Sequence, residues 1–150
     1  MKKIALIVVI VVVSYFVYSK YLDSAVKPLK TYEIFTTYLN GADYGSALKL
    51  TNDSSGVHGA IRNRKGWARA YEIVKITETV NTIASESMSE DGTTASFNIN
   101  QRAWVVPGTT APAMPDYLFK HRVVLNKTGG GSTGWIVTEF EEEIESLGKR

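Results

Sequence analysis

The first strong pattern along the chain is a run with almost no polar relief. Ile4 to Tyr18 is apolar or aromatic at every position except Ser14, with Lys2 and Lys3 ahead of it and Lys20 behind. Such a run is either a secretory signal that a peptidase removes or a spanning helix, which wants about 20 residues. Tyr21 and Leu22 prolong it if Lys20 snorkels toward the headgroups. Tyr15, Phe16, Tyr18 and Tyr21 gather at one end, where an aromatic belt sits at the interface, and Val17-Tyr18-Ser19 is a poor cleavage site. The expectation is an uncleaved signal-anchor over residues 1–23. Its apolar body is Ile4, Leu6, Ile7, Val8, Val9, Ile10, Val11, Val12, Val13, Tyr15, Phe16, Val17 and Tyr18. The lysine pair keeps the short leader inside. That predicts a single-pass protein of a bacterial cytoplasmic membrane with its domain on the periplasmic side.

Beyond the run the period becomes helical. Leu29, Tyr32, Phe35, Tyr38 and Leu39 recur at three- and four-residue steps, predicting a helix over Ser24–Asn40 with Pro28 in its first turn and Asn40-Gly41 as its stop. Asp43 caps a second short helix, "YGSALKLT". "NDSSGVHGA" reads as turns, and "AIRNRKGWARAYE" as a third short helix. From Glu72 the period drops to two. "YEIVKITETVNTIAS" predicts one bent strand and "SEDGTT" a hairpin turn. Ala95, Phe97, Ile99, Ala103 and Val105 then alternate with Ser96, Asn98, Asn100 and Arg102. After the loop "VPGTTAPAMP" come "DYLFKHRVVLNKT", the connection "GGGSTG" and "WIVTEFEEEI", which runs into an acidic tail.

Helices first and a meander afterwards predict an α+β fold: a single N-terminal transmembrane helix, then helices packed on a curved antiparallel sheet of about four strands. The domain spans 24–145, with 146–150 as a C-terminal tail. Length and composition fit this, since 150 residues at 44% hydrophobic and 21% charged suffice for one real core. The net charge of +2 misleads. Five of the 17 basic residues lie before Thr31, and the rest of the chain carries 12 basic against 14 acidic residues. A body so balanced has no general electrostatic reason to bind nucleic acid. With no cysteine, disulfides, zinc–thiolate sites and thiol catalysis are excluded together.

Two stretches carry a resemblance. "TYLNGADYGSALKLT" resembles the first-helix exit and second helix of nuclear transport factor 2-like domains, which belong to the cystatin-like cone folds. "GWIVTEF" resembles their last strand. The likeness covers roughly Pro28 to Glu145 and implies helices on a curved sheet around an open cone. The superfamily holds isomerases, dehydratases, epoxide hydrolases, ligand binders and many non-enzymatic domains. Its membrane-tethered members include assembly subunits of type IV secretion and conjugation systems. Resemblance of this kind constrains architecture more than activity.

Candidate chemistry is sparse. His121 shares strand parity with Tyr117, Phe119, Val123 and Leu125, so these residues point to the interior of the cone. There an imidazole acts as acid or base, or else is a satisfied core histidine. Asp43 is most simply a cap. Glu139 shares a face with Trp135 and Val137 near a strand exit. His58 and His121 are too few and too distant in sequence to announce a metal site. Arg62, Arg64, Lys65 and Arg69 surround Trp67 and read as an ordinary solvated face or a docking patch, with anionic lipid as a further partner.

The resulting expectation is a non-enzymatic accessory or scaffold protein, anchored by one helix, that binds or stabilises a larger membrane protein complex. Its partners are membrane lipid and other membrane protein subunits, with no nucleic acid, metal or cofactor. The alternatives are a small-ligand or enzymatic domain using the cone cavity and a secretion or conjugation assembly factor.

Overall fold

The computed structural model describes Ile10 and residues 12–15, 27–107, 115–129 and 133–149. The first helix, α1, runs over 27–40 and turns Tyr32, Phe35 and Leu39 into the core. Gly41 and Ala42 end it, Gly41 donating its N–H to Thr37 O at 3.0 Å. Asp43 starts α2 (Tyr44–Leu48) by accepting the Ser46 N–H at 3.1 Å. The longest described helix, α3 (Ser55–Ala70), begins inside the stretch read as turns and buries Val57, Ile61 and Arg64 on one face.

Four strands follow: β1 (Ile73–Met88), β2 (Thr94–Pro107), β3 (Pro115–Lys127) and β4 (Trp135–Lys149). Each pairs antiparallel with the next, so the sheet order is β1-β2-β3-β4 with β1 and β4 at the edges. Register aligns Ile83, Ile99, His121 and Glu142 in one row, flanked by a row of Asn81, Gln101, Phe119 and Ile144. The helices cover the face that carries Phe97, Ile99, Phe119, Val123 and Leu125. Arg102, Lys120 and Arg122 lie exposed on the other face.

The core has two parts. The larger joins Tyr32, Phe35, Leu39, Val57 and Ile61 of the helices to Phe97, Ile99, Val123, Leu125, Val137 and Phe140 of the sheet. Phe35 meets Phe140 edge-on at 5.0 Å between ring centres, and burying one such side chain is worth about 1.5–3 kcal/mol. The smaller gathers Ile76, Ala103, Val105, Tyr117 and Phe119 beneath Trp67, whose ring stands edge-on to Tyr117 and Phe119 at 5.0 and 5.4 Å. Gln101 and His121 fall between the two parts along β2 and β3.

One expectation is corrected. Among the described residues no helix is long and apolar enough to cross a membrane, so the expected single-pass transmembrane helix is not found among them. The reason is length and composition: the longest of them, α3, has 16 residues, and α1 and α3 place polar residues on every turn. Of the expected anchor, Ile10, Val12, Val13 and Tyr15 are described, and they are helical and exposed. Ile4, Leu6, Ile7, Val8, Val9, Val11, Phe16, Val17 and Tyr18 lie outside the described residues.

Candidate functional site

The polar residues between the two core parts form one connected chain of hydrogen bonds. Tyr32 on α1 sets its hydroxyl 2.7 Å from His121 Nδ1. His121 Nε2 lies 2.8 Å from Glu142 Oε2 on the neighbouring strand. Arg64 of α3 grips the same carboxylate with two donors, Nε to Oε1 at 2.8 Å and Nη2 to Oε2. Its third donor, Nη1, reaches Asn40 Oδ1 at 2.9 Å. Asn40 Nδ2 donates to Gln101 Oε1 at 3.2 Å, and Gln101 Nε2 donates at 2.8 Å to Oδ1 of Asn81, an exposed residue on the helix-facing side of β1. Three helical residues and four strand residues are thus tied in sequence.

Electrostatics fixes the protonation states. Burial is the largest influence on His121 and, with the Arg64 charge, lowers its pKa against the raising influence of Glu142. The ring is therefore neutral near pH 7. Because a carboxylate accepts and does not donate, Nε2 carries the proton and Nδ1 accepts from the Tyr32 hydroxyl. Burial by itself raises the Glu142 carboxyl, but hydrogen bonds from Arg64 and His121 and the guanidinium charge outweigh it and hold the pKa at about 2. Burial also pushes the Tyr32 phenol up. Arg64 completes its surroundings by lying 4.0 Å over the Phe119 ring. The chemistry available here is an internal ion pair with a neutral histidine at its back, closed to solvent.

Among the described residues, three hollows border this chain of hydrogen bonds. One of about 360 Å³ lies on the outer sheet face among Asn98, Asn100, Lys120 and Arg122; His121 and Glu142 also line it, although their side chains are turned to the other face and buried. One of about 390 Å³ lies between α1 and β1, where Asn81 ends the hydrogen-bonded chain. The largest of the three, about 480 Å³, runs between α3 and β4 past Gly59, Asn63, Trp67, Phe140 and Ile144, with Arg64 and Glu142 also in its lining.

The candidate residues of the sequence are dispersed by the fold. His121, Tyr117 and Phe119 do face inward together, but into packed core rather than an open cavity. The basic patch divides: Arg62, Lys65 and Arg69 are exposed, whereas Arg64 is buried against Glu142 and Trp67 packs on Tyr117 and Phe119. Asp43 caps α2 at the surface, His58 sits in the first turn of α3, and Glu139 is exposed. Among the described residues no group of acidic or histidine side chains is arranged to hold a metal ion.

Glu142 and the buried role of Arg64 escape the sequence pattern, although both leave signals. Val57, Ile61 and Arg64 follow a four- and three-residue step that puts Arg64 on the buried stripe once the helix begins at Ser55. Glu142 is hidden by a change of strand parity. Leu125 pairs with Val137 but Val124 pairs with Glu139, leaving Thr138 without a partner. This bulge moves the inward positions from Trp135 and Val137 to Phe140, Glu142 and Ile144.

Comparison with known proteins supplies no relative: no family model, no curated protein and no solved structure matches the chain, and nothing identifies it as a nuclear transport factor 2-like domain.

Proposed function

We propose that the chain is an accessory protein whose domain binds other polypeptides of a larger complex, and that the His121 cluster serves the fold. The observation that carries this reading is closure. The His121 side chain is 0% exposed and both its ring nitrogens are engaged. The Glu142 carboxylate is taken up by Arg64 and His121 together. General acid or base catalysis needs a group that meets the substrate within hydrogen-bond reach, and here the groups of that type meet one another.

The surface supplies the positive side. Ile83 and Met88 on β1 sit opposite buried Ile99 and Ala95, yet they are 42% and 37% exposed because the helices stop short of this edge. Both sheet edges are open over most of their length among the described residues. Uncovered apolar positions and free strand edges are features that partner chains bind. Neither feature calls on a spanning helix.

Native purification under mild conditions, followed by mass spectrometry of co-purifying chains, tests it. A companion chain at fixed stoichiometry is expected, retained by His121→Gln wherever that variant folds. A protein that purifies alone and monomeric overturns the reading. So does a companion released by His121→Gln while the fold stays intact.

A further inference from the structure

We infer that the groove between α3 and β4 takes an extended, cationic segment of a partner polypeptide, which joins the sheet beside β4 as a fifth strand. This rests on the accessory reading above and names the class of partner. The first ground is the free edge. β4 pairs with β3 on one side. On the other, the contact is confined to its start, where Val137 donates its N–H to Leu50 O at 2.8 Å and bridges Thr51. From Glu139 onward no described strand lies along this edge. An open edge turns alternate N–H and C=O groups outward, and these select another extended backbone.

The second ground is where the groove opens. Phe140 and Ile144 face inward and Glu141 faces outward, yet all three line the groove. A hollow bordered by both faces of one strand reaches that strand's edge. Across from it stand Gly56, Gly59 and Ala60 of α3. A Cβ added at Gly59 meets no atom within 4 Å, so packing within the described chain does not ask for glycine there. Glycine in a helix interior lowers stability, and what the missing side chain leaves is room. From Gly56 to Trp67 the helix wall runs about 16 Å. A strand of about five residues has that length.

The third ground is charge. Glu139, Glu141, Glu143 and Glu145 are exposed on the outer face of β4. They are met by two cations on β3: Lys120, 3.6 Å from Glu143 and 3.0 Å from Glu145, and Arg122, 3.6 Å from Glu141. Four carboxylates against two cations leave an acidic row. Side chains of an added strand stand beside that row at every second position. Lysine or arginine there complements it, while the alternate residues turn toward Phe140, Ile144 and Trp67 and are apolar. Arg64 also lines the groove, with its charge taken up by Glu142, whereas Arg62, Lys65 and Arg69 do not line it. The β1 edge is open as well, but its three register shifts interrupt the regular row of backbone groups that an added strand pairs with, whereas β4 shows no shift between Glu139 and Ser146.

The probe is a fluorescent seven-residue peptide of alternating lysine and valine, capped at both ends, titrated into the full chain and followed by anisotropy. A second peptide carries N-methyl groups on alternate backbone amides, which keeps the charge and removes strand pairing. Saturable binding is expected, weakened at least tenfold by N-methylation and at least tenfold by Gly59→Leu, a variant expected to keep or raise the melting temperature. Equal binding of the N-methylated peptide overturns strand addition, and undiminished binding by folded Gly59→Leu overturns the groove as its seat. Absence of binding by the unmethylated peptide overturns the inference as a whole. The accessory reading would then still stand or fall on its companion chain, so the two failures are told apart.

Discussion

His121 and Glu142 sit directly across from each other on β3 and β4, with Nε2 and Oε2 2.8 Å apart, and Arg64 holds that same oxygen from the helix side. The arrangement joins α3 to the two strands beneath it by charge as well as by packing. Its strength therefore depends on pH. The Glu142 pKa lies at about 2 in the folded chain against an ordinary 4.5. Its contribution is fully present above pH 4.5 and is lost as pH falls toward 2, amounting to about 3 kcal/mol. The folded-state pKa of His121 is also lowered from 6.5. The unfolded chain therefore takes up a proton there first, and stability starts to fall below pH 6.5. Both groups act in the same direction. Urea unfolding at pH 7, 5.5, 4 and 3 is expected to give steadily falling stability, and a profile that is flat or rises toward acid contradicts the assignment.

The same pair sets a mutational asymmetry. Glu142→Gln leaves the Arg64 guanidinium buried without its counter-charge, and breaking a buried pair in this way costs about 3–5 kcal/mol. Arg64→Met combined with Glu142→Gln removes both charges, and Met fills much of the volume beside Phe119 and Trp67. The double variant is expected to be more stable than Glu142→Gln alone, because an isolated buried charge is dearer than none. A double-mutant cycle in urea measures this, and strictly additive losses would count against a coupled pair.

Much of this architecture is legible in the sequence, for reasons that differ by element. The α1 stripe of Tyr32, Phe35 and Leu39 and the β2 alternation from Ala95 to Val105 are written as clean periods because each element has one wet face and one dry face. The start of α3 is not, since Asn52-Asp53-Ser54-Ser55-Gly56 is turn chemistry by composition and becomes helix from Ser55 only because Val57 and Ile61 have a core to enter. Starting the helix late costs the Val57 step, and with it the sign that Arg64 is buried. Burial of Gln101 and His121 follows from parity alone, but their partners come from three other elements and no local pattern joins them. The end of β4 is missed for another reason: residues 146–149, read as tail, are strand because Ser146 and Lys149 still have β3 partners in Tyr117 and Pro115.

Two glycines separate turn geometry from helix propensity. Gly92 closes the β1–β2 hairpin at φ +70°, donating its N–H to Ser89 O at 2.9 Å, while Asp91 Oδ1 accepts from Ser89 Oγ at 2.6 Å and from the Thr93 N–H at 3.1 Å. A side chain at that φ costs about 1–2 kcal/mol, so Gly92→Ala is expected to destabilise by that amount. Gly66 lies inside α3, and a Cβ added there meets no neighbouring atom within 4 Å. Gly66→Ala is therefore expected to stabilise by about 0.5–1 kcal/mol. Thermal unfolding of the two variants should move in opposite directions, and a matching shift of both would rule out this account.

The bulge at Thr138 carries the most stringent test, because the inward position of Glu142 depends on the residue count there. Thr138 has no cross-strand partner, and its hydroxyl donates to Val124 O at 3.3 Å. Thr138→Ala removes that one bond and leaves the extra residue in place, a loss of about 0.5–1.5 kcal/mol. Deleting Thr138 is a different operation. It places Glu139 directly after Val137, so Val137, Phe140, Glu142 and Ile144 keep their inward positions and Leu125, Val124 and Val123 keep Val137, Glu139 and Phe140 as partners. Inserting one alanine after Thr138 does the opposite. With the bulge taking up a single extra residue, the strand beyond slips by one position, turning Phe140, Glu142 and Ile144 to the outer face and bringing Glu139, Glu141 and Glu143 inward. Arg64 then loses its carboxylate geometry, the Phe35–Phe140 contact is lost, and three carboxylates enter the core. Circular dichroism is expected to find the deletion variant and Thr138→Ala folded and the insertion variant unfolded or aggregated at 25 °C. An insertion variant that keeps native stability would mean that the inward position of Glu142 does not depend on the residue count at the bulge.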